Sequence, residues 1–167
     1  MPRKRTDALV IHCTATPEGK EQTVASITAM HKARGFSTIG YHYLIGLNGE
    51  EWVGRAPDTS VGAHVAGFNN TTLGVSYVGG VDKSGKPKDT RTAAQIKTLE
   101  GLLGRLSAKY PKAVILGHRD LSPDKDGDGQ VEPAEWIKVC PCFEAGPWAK
   151  SIGLPGGKYS KGKYVKL

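Results

Sequence analysis

Apolar and polar positions along the chain fall into two kinds of run. Short, largely apolar runs at Ala8 to His12, Leu73 to Val78 and Val114 to Leu116 are bounded by polar residues or glycine, the pattern of buried strands. Elsewhere the apolar spacing lengthens to a helical period. Val24, Ile27 and Met30 recur behind Thr23, a good capping residue, with Lys32 and Arg34 near the end and Gly35 beyond it. Thr92 opens the longest predicted helix, in which Ile96, Leu99, Leu102, Leu103 and Leu106 form one core-facing stripe before Pro111 stops it. A short closing helix is expected over Ala145 to Ile152. Gly40 to Arg55 carries aromatic and β-branched residues on both sides of Asn48-Gly49, which predicts a hairpin closed by a two-residue turn. Tyr41 and Tyr43 then share one strand face and His42 takes the other.

The remaining stretches read as connections. Val61 to Asn70 is rich in Gly, Ala and Asn, and is expected to be a loop presenting His64 and Asn69 at a cleft. Asp82 to Lys88 is a polar turn. Residues 1–7 form a basic tip expected to fray, and residues 155–167 a Gly- and Lys-rich tail expected to be flexible and without a core face. Residues 8–154 between them are long enough for a single domain with a proper core.

Charge changes this picture modestly. A net charge of +7 favours anionic partners, among them nucleic acid, membrane surfaces and anionic cell-envelope polymers. Nucleic acid is disfavoured because lysines cluster at chain ends expected to be disordered, where they form no aromatic and basic stacking platform. No run approaches the ~20 apolar residues of a membrane span, and none at the N-terminus has signal-peptide length. Cys13, Cys140 and Cys142 are too few and too clustered for a disulfide framework, which suits a reducing compartment and cysteine used as a ligand.

The candidate chemistry lies at the strand ends. The first apolar run delivers His12 and the third delivers His118, just past Gly117. Two strands of one sheet finishing in this way bring the imidazoles together, and Cys140 completes a set of three ligands suited to zinc, with a fourth position open. The competing reading is two separately satisfied histidines and a small buried cysteine. His31, in the last turn of its helix, is expected to be solvated or paired with the helix dipole. Between His118 and Cys140 the chain also follows the spacing of a calcium loop. Asp124, Asp126 and Asp128 stand at positions 1, 3 and 5, Gly129 at 6, Gln130 at 7 with its carbonyl, and Glu135 at 12. The alternative there is a solvated acidic turn.

In order, IHCTAT, GYHY with its NG turn, VGAH with GFN, LGVSYVGG, GHRD and KVCPCF occur between about Ala8 and Trp148. Together they resemble the zinc-dependent N-acetylmuramoyl-L-alanine amidases, the group containing the small bacteriophage lysozyme-type amidases and the peptidoglycan recognition proteins. The resemblance implies a mixed sheet of five or six strands with helices on both sides, and zinc held by His12, His118 and Cys140. It also implies Tyr41 and Lys138 as the catalytic pair beside the metal. The implied activity is hydrolysis of the amide between N-acetylmuramic acid and the L-alanine of the stem peptide in peptidoglycan. His42, His64 and Asn69 are the expected substrate contacts, and Ca2+ is a second expected ion beside Zn2+. The expected setting is a monomeric phage endolysin that waits in the host cytoplasm. A cytoplasmic wall-recycling amidase and a non-cutting peptidoglycan-binding module are the alternatives.

Overall fold

In the computed structural model, which describes residues 2–167, nine strands and three α-helices follow in the order β1 (Ala8–Cys13), β2 (Thr16–Pro17), α1 (Val24–Ala33), β3 (Tyr43–Ile45), β4 (Glu51–Val53), β5 (Thr72–Tyr77), β6 (Gly80–Val81), α2 (Ala93–Lys109), β7 (Val114–Gly117), α3 (Ala145–Ser151), β8 (Gly157–Ser160) and β9 (Lys163–Lys166). Five of the strands form the central sheet, in the order β4-β3-β5-β1-β7. Four run parallel, while β4 pairs antiparallel with β3 at the edge, so the sheet is mixed, as expected. β1 lies between β5 and β7 and is buried along its whole length. This accounts for its unbroken apolar sequence.

Strand alternation divides the core. Leu9 and Ile11 join Leu73, Val75, Ile45 and Ile115 against the predicted stripe of α2 and the small residues of α3. Ala8 and Val10 face the opposite side with Val114, Leu116, Val65 and Leu121, while Leu44 and Val78 meet α1 through Ile27. His12 follows the parity of Val10 and therefore stands on the α1 side. Both long helices begin with reciprocal caps, Thr23 with Ser26 and Thr92 with Gln95.

Several expectations are corrected. The hairpin connection is longer than two residues: Gly46 N–H donates to Glu50 O at 2.9 Å, and of the Asn48-Gly49 pair only Gly49 has positive φ, at 85°. Because β3 begins at Tyr43, alternation does not reach back to Tyr41. Tyr41 packs with Ile27 and Ile39, whereas Tyr43 packs on the α2 side. His31 is buried rather than solvated; its Nδ1 accepts from Gly40 N–H at 2.8 Å and its ring lies 5.1 Å from that of Tyr41. Met30 is 42 % exposed because this end of α1 borders the cleft rather than the core.

Both chain ends are tied down. In the basic tip Arg3 is buried, donating to Ser60 O at 3.1 Å and to Pro57 O, because carbonyls of a distant loop replace its water. The glycine-rich tail folds into the β8–β9 hairpin, whose Gly156 and Gly157 lie against Gly146 and Val114. A Cβ on Gly157 would come within 2.5 Å of Val114, so here glycine provides close packing rather than flexibility.

Candidate active site

His12, the penultimate residue of β1, is almost fully buried. A short 3-10 turn, His118–Leu121, follows β7 directly; Asp120 accepts from Gly117 N–H at 2.6 Å and so fixes the angle at which His118 leaves the strand. The two imidazole centroids are 4.7 Å apart. Cys140 reaches them from the far end of the acidic loop and is anchored twice. Arg119 N–H donates to Cys140 O at 2.9 Å, and Cys13 N–H points at Cys140 Sγ from 3.2 Å. Cys140 Sγ is then 3.8 Å from His12 Nδ1, and His12, His118 and Cys140 each offer one donor atom within 4.8 Å of the others.

A hydrogen-bond relay sets the protonation of His12. His12 Nε2 lies 2.9 Å from His64 Nδ1, His64 Nε2 lies 3.4 Å from Thr72 Oγ1, and Thr72 Oγ1 donates to Phe68 O at 2.9 Å. Since the relay ends on a carbonyl, one proton direction satisfies every member. His12 Nε2–H donates to His64, and His64 Nε2–H donates to Thr72. His12 Nδ1 is left with a lone pair facing Cys140 and His118, as a metal ligand requires. Burial, reinforced by His118, holds the His12 imidazole well below its usual pKa, and burial together with Lys138 lowers that of His118 to about 4. Both rings are neutral near pH 7, another requirement of ligation. Two neutral nitrogens and one sulfur at this spacing fit zinc.

Tyr41 and Lys138 complete the cleft. A cavity of about 160 Å³ is lined by His12, Tyr41, His118, Lys138 and Cys140, among others, and a neighbouring one of about 340 Å³ shares His64, His118 and Lys138 with it. Tyr41 donates to Cys13 O at 3.4 Å with its ring 5.2 Å from His12, and burial raises its pKa, keeping the phenol protonated. Lys138 is exposed at the mouth.

The three expected substrate contacts occupy different depths. His42 is fully buried behind the cleft, its Nδ1 accepting from Gly74 N–H at 3.0 Å and its Nε2 beside Ser60 O, so it supports the fold and touches no substrate. His64 lines the cleft floor but is committed to His12. Asn69 also lines the cleft, where its Oδ1 accepts from His64 N–H and Val65 N–H and holds the loop in shape. The relay through Thr72 was not legible from spacing, because its link to the site joins His64, in the loop before β5, to His12 in β1. Cys13 and Cys142, to which the sequence assigned no role, lie with their sulfurs 4.0 Å apart beside the site.

The acidic loop is ordered by its own backbone. Asp124 accepts from Gly127 N–H and Gly129 N–H, Asp126 from Asp128 N–H, Asp128 from Gln130 N–H, and Glu135 from Lys125 N–H and Asp126 N–H. Oxygens of Asp124, Asp126 and Glu135 approach within 4.8 Å of one another.

Comparison with known proteins agrees with this geometry. Residues 2–133 match the family model described as N-acetylmuramoyl-L-alanine amidase. The endolysin of Enterobacteria phage K11 is 37% identical over 149 residues, covering 89% of this chain and 89% of that protein. The endolysin of Escherichia phage T7 is 36% identical over 146 residues, covering 87% of each. Among solved structures, the Ph2119 endolysin from Thermus scotoductus MAT2119 bacteriophage Ph2119 aligns with a TM-score of 0.67 at 27% identity, over 90% of this chain and 86% of that one. A family match over most of the chain, on a fold that brings His12 and His118 at the ends of parallel strands together with Cys140, establishes that the chain belongs to the N-acetylmuramoyl-L-alanine amidase family.

Proposed function

We propose that the chain is a zinc-dependent peptidoglycan hydrolase that cuts the amide between the lactyl group of N-acetylmuramic acid and the L-alanine of the stem peptide. The observation that carries this reading is the meeting of His12, His118 and Cys140 with Tyr41 and Lys138 around one cleft. Bound by the three ligands, zinc supplies Lewis acidity that activates water and polarises a carbonyl at neutral pH. The chain's own groups do the rest. The relay through His64 holds His12 in the ligating tautomer. Lys138 sets a cation at the mouth, where it offsets the negative charge developing on the carbonyl oxygen. Tyr41, kept protonated, orients the attacking water and offers a proton towards the departing nitrogen. Release of stem peptides from purified sacculi, with and without a zinc chelator and in His118→Ala, tests this. Undiminished release after chelation would refute it.

Calcium is the second ion in this reading, held by Asp124, Asp126, Asp128, the carbonyl of Gln130, and Glu135. Its support is the complete calcium-loop spacing together with the convergence of three of the carboxylates. A calorimetric titration with no heat at millimolar calcium would return the segment to an acidic turn.

The setting that suits these features is a monomeric phage lysin that reaches the wall once the inner membrane opens. The names of the K11 and T7 relatives support it, and among the described residues no helix is long and apolar enough to cross a membrane. The net charge of +7 favours adsorption to anionic envelope polymers. A wall-recycling amidase would instead prefer small soluble muropeptides to cross-linked sacculi.

A further inference from the structure

The catalytic cleft does not end at the metal ligands. The cavity of about 340 Å³ containing His118 and Lys138 shares Leu121 and Ser122 with a second of about 240 Å³. The second shares Phe68, Tyr159 and Gly162 with a third of about 580 Å³, where Tyr164, Arg5, Lys112 and Lys163 also stand. Through these shared walls the three stand in series as a track from the cleft beside His118 to the β8–β9 hairpin. The family match stops at residue 133, so the hairpin that walls the far part of the track lies beyond it.

Three half-buried aromatic rings mark the outer part. Phe68 and Tyr159 have centroids 5.0 Å apart at 85°, and Tyr159 and Tyr164 are 5.1 Å apart at 60°. Packed edge to face, they hold each other in place and leave rigid apolar surface at the wall. Lys112 and Lys163 are exposed beside them, and among the described residues neither is in an ion pair. Asp7 and Asp124 stand in the same linings.

We propose that this track is a distal subsite for the glycan strand of the substrate, in which Tyr159, Tyr164 and Phe68 pack on the apolar faces of N-acetylated sugars and Lys112 and Lys163 meet carboxylates of neighbouring stem peptides. It rests on the proposed amidase function, because the polymer entering the catalytic end is then the one that occupies the track. Aromatic rings beside lysines also suit single-stranded nucleic acid. The acidic residues in the linings favour a polymer of neutral sugars with carboxylates at intervals over one with a phosphate on every unit.

The test uses the full chain and Tyr159→Ser, Tyr164→Ser, Tyr159→Phe and Lys163→Glu variants. Binding to purified sacculi is measured by co-sedimentation after chelation, and turnover is measured on sacculi and on a soluble N-acetylmuramoyl-peptide monomer. Each serine variant should bind sacculi roughly fivefold more weakly, the loss of one aromatic contact, and raise KM for sacculi alike. Lys163→Glu should weaken binding in the same direction, Tyr159→Phe should restore it, and turnover of the monomer should not change. A tetramer of N-acetylglucosamine should shift the tyrosine ring resonances of the unmodified chain more than those of Tyr159→Ser. Equal losses on monomer and sacculi, unchanged sacculus binding, or tighter binding of an oligodeoxythymidine than of the sugar tetramer would each overturn the proposal. Sacculus binding that responds to the variants while no stem peptide is released would overturn the amidase reading and leave the subsite standing.

Discussion

Two regions of this molecule gather metal-type donors within 4.8 Å, and they do so in opposite ways. His12, His118 and Cys140 come from distant parts of the chain and are positioned by strand ends, a capped turn and backbone contacts that owe nothing to an ion. Asp124, Asp126 and Glu135 come from one short loop, range from exposed (Asp126) through half-buried (Asp124) to buried (Glu135), and satisfy themselves with the loop's own N–H groups. The first cluster is preorganised by the fold. The second is organised by its own sequence, and an ion entering it competes with hydrogen bonds already made. Removing a ligand should therefore be decisive in the first region and graded in the second.

The largest effect expected is in the first cluster. Cys140→Ala or His118→Ala should abolish both zinc retention and stem-peptide release, read by metal analysis and by assay on sacculi. A variant that keeps both would erase the contrast between the regions. Lys138→Ala should retain zinc and lose on the order of a hundredfold in turnover, the scale of removing one charge-stabilising group. Tyr41→Phe should likewise retain zinc with reduced turnover. His64→Ala sharpens the claim that the first site is held from behind. It should weaken zinc affinity by roughly tenfold or more, read by competition with a chelating dye, while leaving the fold intact.

Acidity tests the same region without mutation. His42 and His118 have pKa values lowered to about 4 by burial, from a usual 6.5, so between these limits the unfolded chain binds more protons than the folded one. The metal-free protein should keep its full stability above the usual histidine value and lose it progressively as pH falls towards 4, followed by thermal melts. The smallest effect expected belongs to the loop. Calcium at a hundredfold excess over its dissociation constant should add about 2.7 kcal/mol of stability, and Asp126→Ala should cancel that gain without releasing zinc.

How much of this was legible in sequence depended on whether the partner of each residue is local. Leu99, Leu102, Leu103 and Leu106 of the stripe, the caps at Thr23 and Thr92 and the apolar runs of β1 and β7 follow from periodicity and appear where expected, whereas Ile96, also expected in the stripe, is only half-buried and Gln95 is buried beside it. His12, His118 and Cys140 were legible as a set because strand ends and motif order point to them. Arg3, His31 and His42 were not, since the carbonyls, rings and N–H groups that enclose them come from distant segments. The tail misled because glycine gives the same signal for a flexible tether and for a backbone pressed against its neighbour. Only the contact of Gly157 with Val114 separates the two. β2 and β6, two residues each, are too short to leave a pattern.

The placement of β1 between β5 and β7 also fixes when the molecule can act. Its innermost strand is the first made, yet the strands on either side of it arrive much later, and Cys140 follows His12 by 128 residues. At cellular rates of translation that separation is on the order of ten seconds, during which β5 becomes available to pair with β1 but the His-His-Cys set stays incomplete. A chain not yet extended past Cys140 therefore holds His12 and His118 without their third partner, and the cluster is completed in one step when that residue is added.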